Sequence, residues 1–301
     1  MELIPPNTKI DFVGNRYYAY AFTALMILLS LAAIPIKGGL VLGIDFSGGA
    51  TIQIRFNKPV ETAQVREALE PLSEALSVQK FQMAGEEFII KTDIPKEGAE
   101  GIGEKAKELL EKSIGKGSVE IRGVEMVGPK VGKDLRDSAM WATAIALAFL
   151  LIYMAFRFTF VMGLSAVFCL VHDLCILYGF FAWTGKEFNL TILAAFLTVI
   201  GYDINDTIVV CDRVRENIKF TKKTPLLEVL NNAVNQTLSR TVLTSTGTLL
   251  VVVALLIYGT TVLQDLAWAL LVGILFGTYS SIYVAMPVVL VFDRWLPMKR
   301  G

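Results

Sequence analysis

Six long apolar stretches organise the chain: Tyr17–Ile36, Ser138–Phe156, Phe160–Trp183, Phe188–Val210, Val242–Tyr258 and Leu266–Val291. Together they carry only three formal charges, Asp173, Asp203 and Asp206. A hydrocarbon core ~30 Å thick needs roughly 20 apolar residues as helix, so the pattern predicts six transmembrane helices. The first stretch follows only Lys9 and Arg16, and it is longer than the apolar core of a cleaved leader. It reads as a retained signal anchor.

Residues 37–137 follow a different rhythm. Leu40–Asp45 and Ala50–Phe56 are strand-like, with Ile52, Ile54 and Phe56 alternating with Thr51, Gln53 and Arg55. Ser47-Gly48-Gly49 between them is a turn or bulge. Val60–Leu76 is an amphipathic helix disturbed at Pro71, with Val65, Leu69, Leu72 and Leu76 inward. Strands Val78–Met83 and Phe88–Thr92 follow, joined by Ala84-Gly85-Glu86, then a helix over about Ile102–Ile114 and a strand over Val119–Val127. The order β-α-β-β-α-β predicts a ferredoxin-like α+β domain whose first strand bends at the glycine pair. At roughly 100 residues it can bury a core of its own. Gly128–Gly132 stops the last strand, and Asp134–Ser138 leads into the second span.

The boundaries are then a 1–16 amino end, a 17–36 span, the 37–137 domain, spans two to six over 138–291 with a 211–241 loop, and a 292–301 tail. Arginine and lysine orient them. Lys9, Arg16, Arg157, Arg213, Arg215, Lys219, Lys222, Lys223, Arg240, Arg294, Lys299 and Arg300 fall on one side, and in the short links of the other side only Lys186. The positive-inside rule puts both termini in the cytoplasm and the 37–137 domain outside.

Composition narrows the chemistry. The 28 basic and 28 acidic side chains balance, which leaves no basic face for nucleic acid. The single histidine, His172, excludes a His-rich metal site or an HExxH protease. Cys169, Cys175 and Cys211 lie in or at the end of apolar stretches and read as small apolar side chains. No Walker motif is present, so this chain does not hydrolyse ATP. No catalytic residue, cofactor or metal is expected.

The intramembrane acids remain. A carboxylate at a bilayer centre costs at least ~2.5–3.5 kcal/mol and is kept for a bundle interior, a wet cavity or a partner. Asp203 and Asp206 are three apart on one face of the fourth span. Asp206, flanked by Asn205 and Thr207, is a proton carrier, an acid held ionised by an arginine, or one that simply reaches interfacial water. His172 and Asp173 point ~100° apart on a helix and are not expected to form a dyad. Asp173 is expected to hydrogen-bond across to the fourth span. Arg240, just before the fifth span, is the expected cation for these acids. Asp212–Asn217 looks like a solvated loop.

Gly201-Tyr202-Asp203-Ile204-Asn205-Asp206-Thr207, continued to Asn217, resembles the fourth-span signature of the SecD/SecF family of protein translocase subunits, within the resistance-nodulation-division superfamily. Asp45-Phe46-Ser47-Gly48-Gly49, Val171-His172-Asp173 and Asn235–Thr241 match it in the same order. The resemblance implies an accessory subunit of protein export in the bacterial inner membrane, driven by the proton-motive force. It implies SecD as partner, beside the SecYEG channel and SecA, with YajC and YidC as further partners and an unfolded polypeptide as client. It assigns proton coupling to Asp206 and Arg240, and Asp203 and Asp173 are expected to take part in it. Asp45, Gly48, Gly49, Gly201 and Asn205 become structural motif positions. The family usually has serine where this chain has Asp203, which can share a proton with Asp206 or repel its charge. Two other readings compete. A half-transporter for small molecules would need a larger outer domain. An aspartyl intramembrane protease would need a Gly-x-Gly-Asp element that is absent.

Overall fold

The computed structural model describes residues 5, 8–73, 76–80, 86–93, 101–220 and 224–298. The chain divides into two compact units: Leu42–Met140, and Met1–Val41 together with Trp141–Gly301. Among the described residues, six helices are long and apolar enough to cross a membrane.

The two-residue β1 (Val41–Leu42) falls on the boundary between the units; in the first unit the single-turn α2 (Ile44–Ser47) precedes β2 (Gly49–Phe56). Then come α3 (Thr62–Leu69) with a 3-10 turn over Glu70–Leu72, β3 (Leu76–Lys80), β4 (Glu87–Thr92), α4 (Ile102–Ile114) and β5 (Val119–Val127). The sheet order is β3-β4-β2-β5, every neighbour antiparallel, which is the ferredoxin-like arrangement. Ala50, Ile52, Ile54 and Phe56 of β2 meet Val65 and Leu69 of α3 and Ile102, Ala106 and Leu110 of α4 in one core. Each large side chain buried there contributes roughly 1.5–3 kcal/mol. Pairing of β2 with β5 slips between Gln53 and Ile54, a bulge beside Gly123.

At the edge of this unit the Lys80 ammonium donates to both Glu86 oxygens, at 3.0 and 2.8 Å, and the Val60 amide donates to Oε2 at 3.1 Å. The bond from Lys80, then that from Val60, hold the Glu86 carboxyl below the usual glutamate range.

Two expectations need correction in this unit. Leu40–Asp45 is not a strand: only Val41–Leu42 is extended, and Ile44–Ser47 is helical. Gly48 and Gly49 follow with φ of 78° and 141°, a conformation open to glycine, and so turn the chain directly into β2. A Cβ on Gly48 would come within 2.8 Å of Pro129, so the pair also permits close backbone approach. The helix expected over Val60–Leu76 is α only to Leu69. Pro71 tightens the next turn, and Leu76 already belongs to β3. Residues 81–83 of the next expected strand, and Ala84-Gly85 after it, lie outside the described residues. So do Lys222, Lys223, Lys299 and Arg300.

The membrane unit is built from α1 (Arg16–Lys37), the part of α5 (Pro129–Arg157) from Trp141 onward, and α6 (Phe160–Thr184). After the two residues of β6 (Glu187–Phe188) come α7 (Leu190–Phe220), α8 (Leu226–Tyr258), α9 (Thr261–Tyr283) and α10 (Ala285–Trp295). Helix α5 begins at Pro129, so Gly128-Pro129 stops the strand and starts the helix at once. The last apolar stretch is two helices that join at Val284, not one span. The expected 211–241 loop is mostly helix, because α7 continues to Phe220 and α8 starts at Leu226. At 1.5 Å per residue these helices are about 46 and 50 Å long, well beyond a ~30 Å core. Their polar ends pack together through Val210, Cys211, Val214, Leu226, Leu230 and Val234, against Phe12 and Val13 of the amino-terminal segment.

A buried acidic cluster as candidate functional site

Small residues bring the helices together around the acids. Gly179 of α6 lies against Ser30 of α1, where a Cβ would overlap the serine. On α9, Gly273 and Gly277 are one turn apart: a Cβ on the first would strike Val199 of α7, and one on the second would overlap the Asp203 carboxylate. Such a Gly-x-x-x-Gly stripe lets two backbones approach closely in a membrane. Spacing of small residues was a legible signal for Gly273 and Gly277, which the hydropathy pattern and the acids had overshadowed.

All three acids are buried: Asp173 is 2%, Asp203 3% and Asp206 4% exposed. Among the described residues, Oδ2 of Asp206 and both oxygens of Asp203 have no hydrogen-bond partner. The charges of Asp173 and Asp206 both bear on Asp203, so α6 and α7 contribute to one acidic cluster. Helix α8 brings Ser245 to Asp206. Ser245 is itself 2.8 Å from the Thr278 hydroxyl of α9 and accepts from Tyr202 at 3.5 Å. Ser245, Thr278, Ser280 and Tyr202 are polar members of this site that sequence reasoning missed. Isolated hydroxyls in apolar helices resemble those that merely bond back to their own turn, as Thr244 does to the Arg240 carbonyl.

Two expectations about Asp173 are overturned. Its Oδ1 lies 2.8 Å from His172 Nδ1, so the neighbours do form a dyad. The ~100° between their Cα–Cβ bonds is closed by side-chain rotation, since both residues are buried and have few other partners in reach. Its hydrogen bond across the bundle goes to the Ser280 hydroxyl of α9, which donates to Oδ2 at 2.6 Å, and not to the fourth span.

Arg240 lies well inside α8 and not before it. Its charge bears on Asp206, yet among the described residues the ion pairs of this region are Arg157–Asp212 and Arg213–Glu216 and not Arg240–Asp206. It lines a polar cleft of about 480 Å³ with Tyr153, Arg157, Asn205, Asp212 and Gln236 among its walls. Two other arginines there are already matched, Arg157 to Asp212 at 3.1 Å and Arg213 to Glu216 at 2.9 Å. Asn205 thus faces the cleft, while Asp206 faces the bundle. A Cβ on Gly201 would meet nothing within 4 Å, so close packing does not explain that glycine. Asp45 sits in the first turn of α2, remote in sequence from the cluster. Among the described residues no group of His, Cys, Asp and Glu is arranged to hold a metal.

Six apolar helices, an α+β domain inserted after the first, and an acidic cluster in the bundle define a multi-pass membrane protein with ionisable groups at its centre. Residues 106–295 match the C-terminal domain of the SecD/SecF protein export membrane proteins, and residues 33–60, which include Gly48 and Gly49, match the SecD/SecF GG motif. The chain is 44% identical over 298 residues to protein translocase subunit SecF of Magnetococcus marinus, covering 97% of this chain and 95% of that one. To SecF of Pseudomonas aeruginosa it is 39% identical, covering 93% and 90%. The crystal structure of SecDF from Thermus thermophilus matches with a TM-score of 0.83 at 36% identity, over 97% of this chain and 40% of that one. The chain therefore spans 40% of the SecDF chain and nearly all of these SecF relatives. It belongs to the SecD/SecF family of protein export membrane proteins.

Proposed function

We propose that this chain is the SecF-type half of a two-part export machine, which uses the proton-motive force to advance and release polypeptide crossing the bacterial inner membrane. The SecDF relatives carry a further stretch in the same chain, and this supports a separate SecD-type subunit as the missing part. SecYEG and SecA would supply the channel and the motor, with YajC and YidC as accessory neighbours. Both termini would be cytoplasmic and the 37–137 domain outside. The observation that carries the mechanism is the buried, incompletely bonded Asp206 one helix away from an arginine that lines a polar cleft.

In this mechanism Asp206 takes a proton from one side of the membrane and gives it up to the other, with Asp203 and Asp173 as neighbouring acids. Neutral Asp206 no longer attracts Arg240, so α7 and α8 shift, and the motion passes to the α+β unit. A charge crossing the full field is worth ~2.3 kcal/mol per 100 mV, so a few protons suffice for a domain swing of several kcal/mol. Affinity purification of the chain in mild detergent tests the assembly. A stoichiometric second six-span subunit is expected, and a chain that purifies alone while still supporting export would overturn the two-part reading.

A further inference from the structure

His172 and Asp173 are both 2% exposed. Both Asp173 oxygens have hydrogen-bond partners: His172 Nδ1 lies 2.8 Å from Oδ1, and the Ser280 hydroxyl donates to Oδ2 at 2.6 Å. A carboxylate so bonded places the ring proton on Nδ1 and leaves Nε2 a bare acceptor. That Nε2 is buried and has no hydrogen-bond partner among the described residues. An unpaired buried polar atom costs about 1–3 kcal/mol, and in a native protein it calls for a reason.

We infer that His172 and Asp173 form a proton-exchanging pair that switches the imidazole between its two neutral tautomers, a role that rests on the proton-driven reading above. In the first state His172 carries its proton on Nδ1 and Asp173 is a carboxylate. A proton arriving at Nε2 forms a new N–H bond there, while the Nδ1 proton passes to Asp173 Oδ1. In the second state the ring is Nε2–H and neutral, and its Nδ1 accepts from a neutral carboxyl. One proton has entered and no imidazolium is left in an apolar site, where a charged ring would be costly. Ser280 is a positioning residue: by holding Oδ2 it keeps Oδ1 turned to the imidazole.

The groups facing the pair are few. Cys169 is one turn earlier on α6, Asp203 of α7 lies in the field of Asp173, and Tyr279 of α9 has its ring 6.5 Å from the imidazole. Helix α1 brings the Thr23 hydroxyl against Tyr279 at 3.4 Å, and α10 adds apolar side chains such as Met286 and Val289. Among the described residues no lysine or arginine forms an ion pair with Asp173. Because Asp203 feels both Asp173 and Asp206, the state of the pair is coupled through it to the acid on α7.

His172 is the only histidine, so 15N-histidine labelling of the full chain in lipid nanodiscs reports it without overlap. The Nδ1–H signature is expected at the alkaline end of a pH titration, giving way to the Nε2–H signature as the pH is lowered. Asp173→Asn should abolish the change and Ser280→Ala should shift its midpoint. A single tautomer throughout, or a doubly protonated ring, would overturn the inference. His172→Asn retains a donor near Nδ1 but cannot exchange a proton, so it should assemble and lose the pH response of export. Wild-type pH response in that variant would make His172 a structural donor only. A tautomer switch that persists while Asp206→Asn exports normally would sink the proton-driven reading and leave the pair standing. A fixed tautomer beside an inactive Asp206→Asn would do the reverse.

Discussion

Asp203 fits its helix interface only because Gly277 has no side chain. Gly277→Ala should therefore overpack α7 against α9 and cost about 1–3 kcal/mol. Asp203→Ser shortens the opposing side chain and should recover part of that loss in the double variant. Thermal unfolding of the four proteins of the cycle in detergent reads the coupling, and strictly additive effects would show that the two positions do not touch. A second prediction concerns Glu86, whose lowered pKa means that the folded state releases the proton more readily than the unfolded one. Its stabilising contribution is complete above the ordinary glutamate range and is lost as the pH falls through the lowered value. In residues 38–132 expressed without the spans, Glu86→Gln should flatten the acid limb of stability measured by urea unfolding. Parallel limbs for the two proteins would count against the pairing with Lys80 and Val60.

At the scale of elements, hydropathy revealed what the bilayer demands and little of what lies beside it. The six spans follow from charge-poor runs of bilayer length, and the expected ranges of about Ile102–Ile114 and Val119–Val127 agree with the helix and strand observed. Residues 211–241 misled because polar helix and polar loop have the same hydropathy; the apolar stripe of Val210, Val214, Leu226 and Leu230 was the available clue. The dyad of His172 with Asp173 depends on rotamers, which no spacing reveals. The amino-terminal segment is another feature outside the reach of pattern. Ile10 and Val13 donate their amides to Asn235 at 2.9 Å and Asn231 at 3.1 Å, and both asparagines are on α8, ahead of Arg240. A net hydrogen bond of this kind is worth about 0.5–1.5 kcal/mol. Asn235→Ala should speed hydrogen exchange at the Ile10 amide and Asn231→Ala at Val13. Unchanged rates would mean that the segment is not strapped to α8.

For the whole molecule, orientation comes first, since every proposed proton path depends on it. Single cysteines at Lys116 and Lys219 should react with an impermeant reagent from opposite faces, Lys116→Cys from outside and Lys219→Cys from the cytoplasm. Labelling of Lys116→Cys from the cytoplasmic side alone would invert the topology and the partners assigned with it.

The central claim is that a proton on Asp206, sensed by Arg240, drives export. Export by membranes carrying this chain as their only copy, with its partner subunit, should be measured with and without an imposed proton-motive force. Asp206→Asn is predicted to assemble normally and lose the force-dependent fraction, Arg240→Met to do the same, and the double variant to be no worse than either, because both remove one switch. Full force-dependent export by Asp206→Asn would contradict the account and leave Asp206 a structural acid.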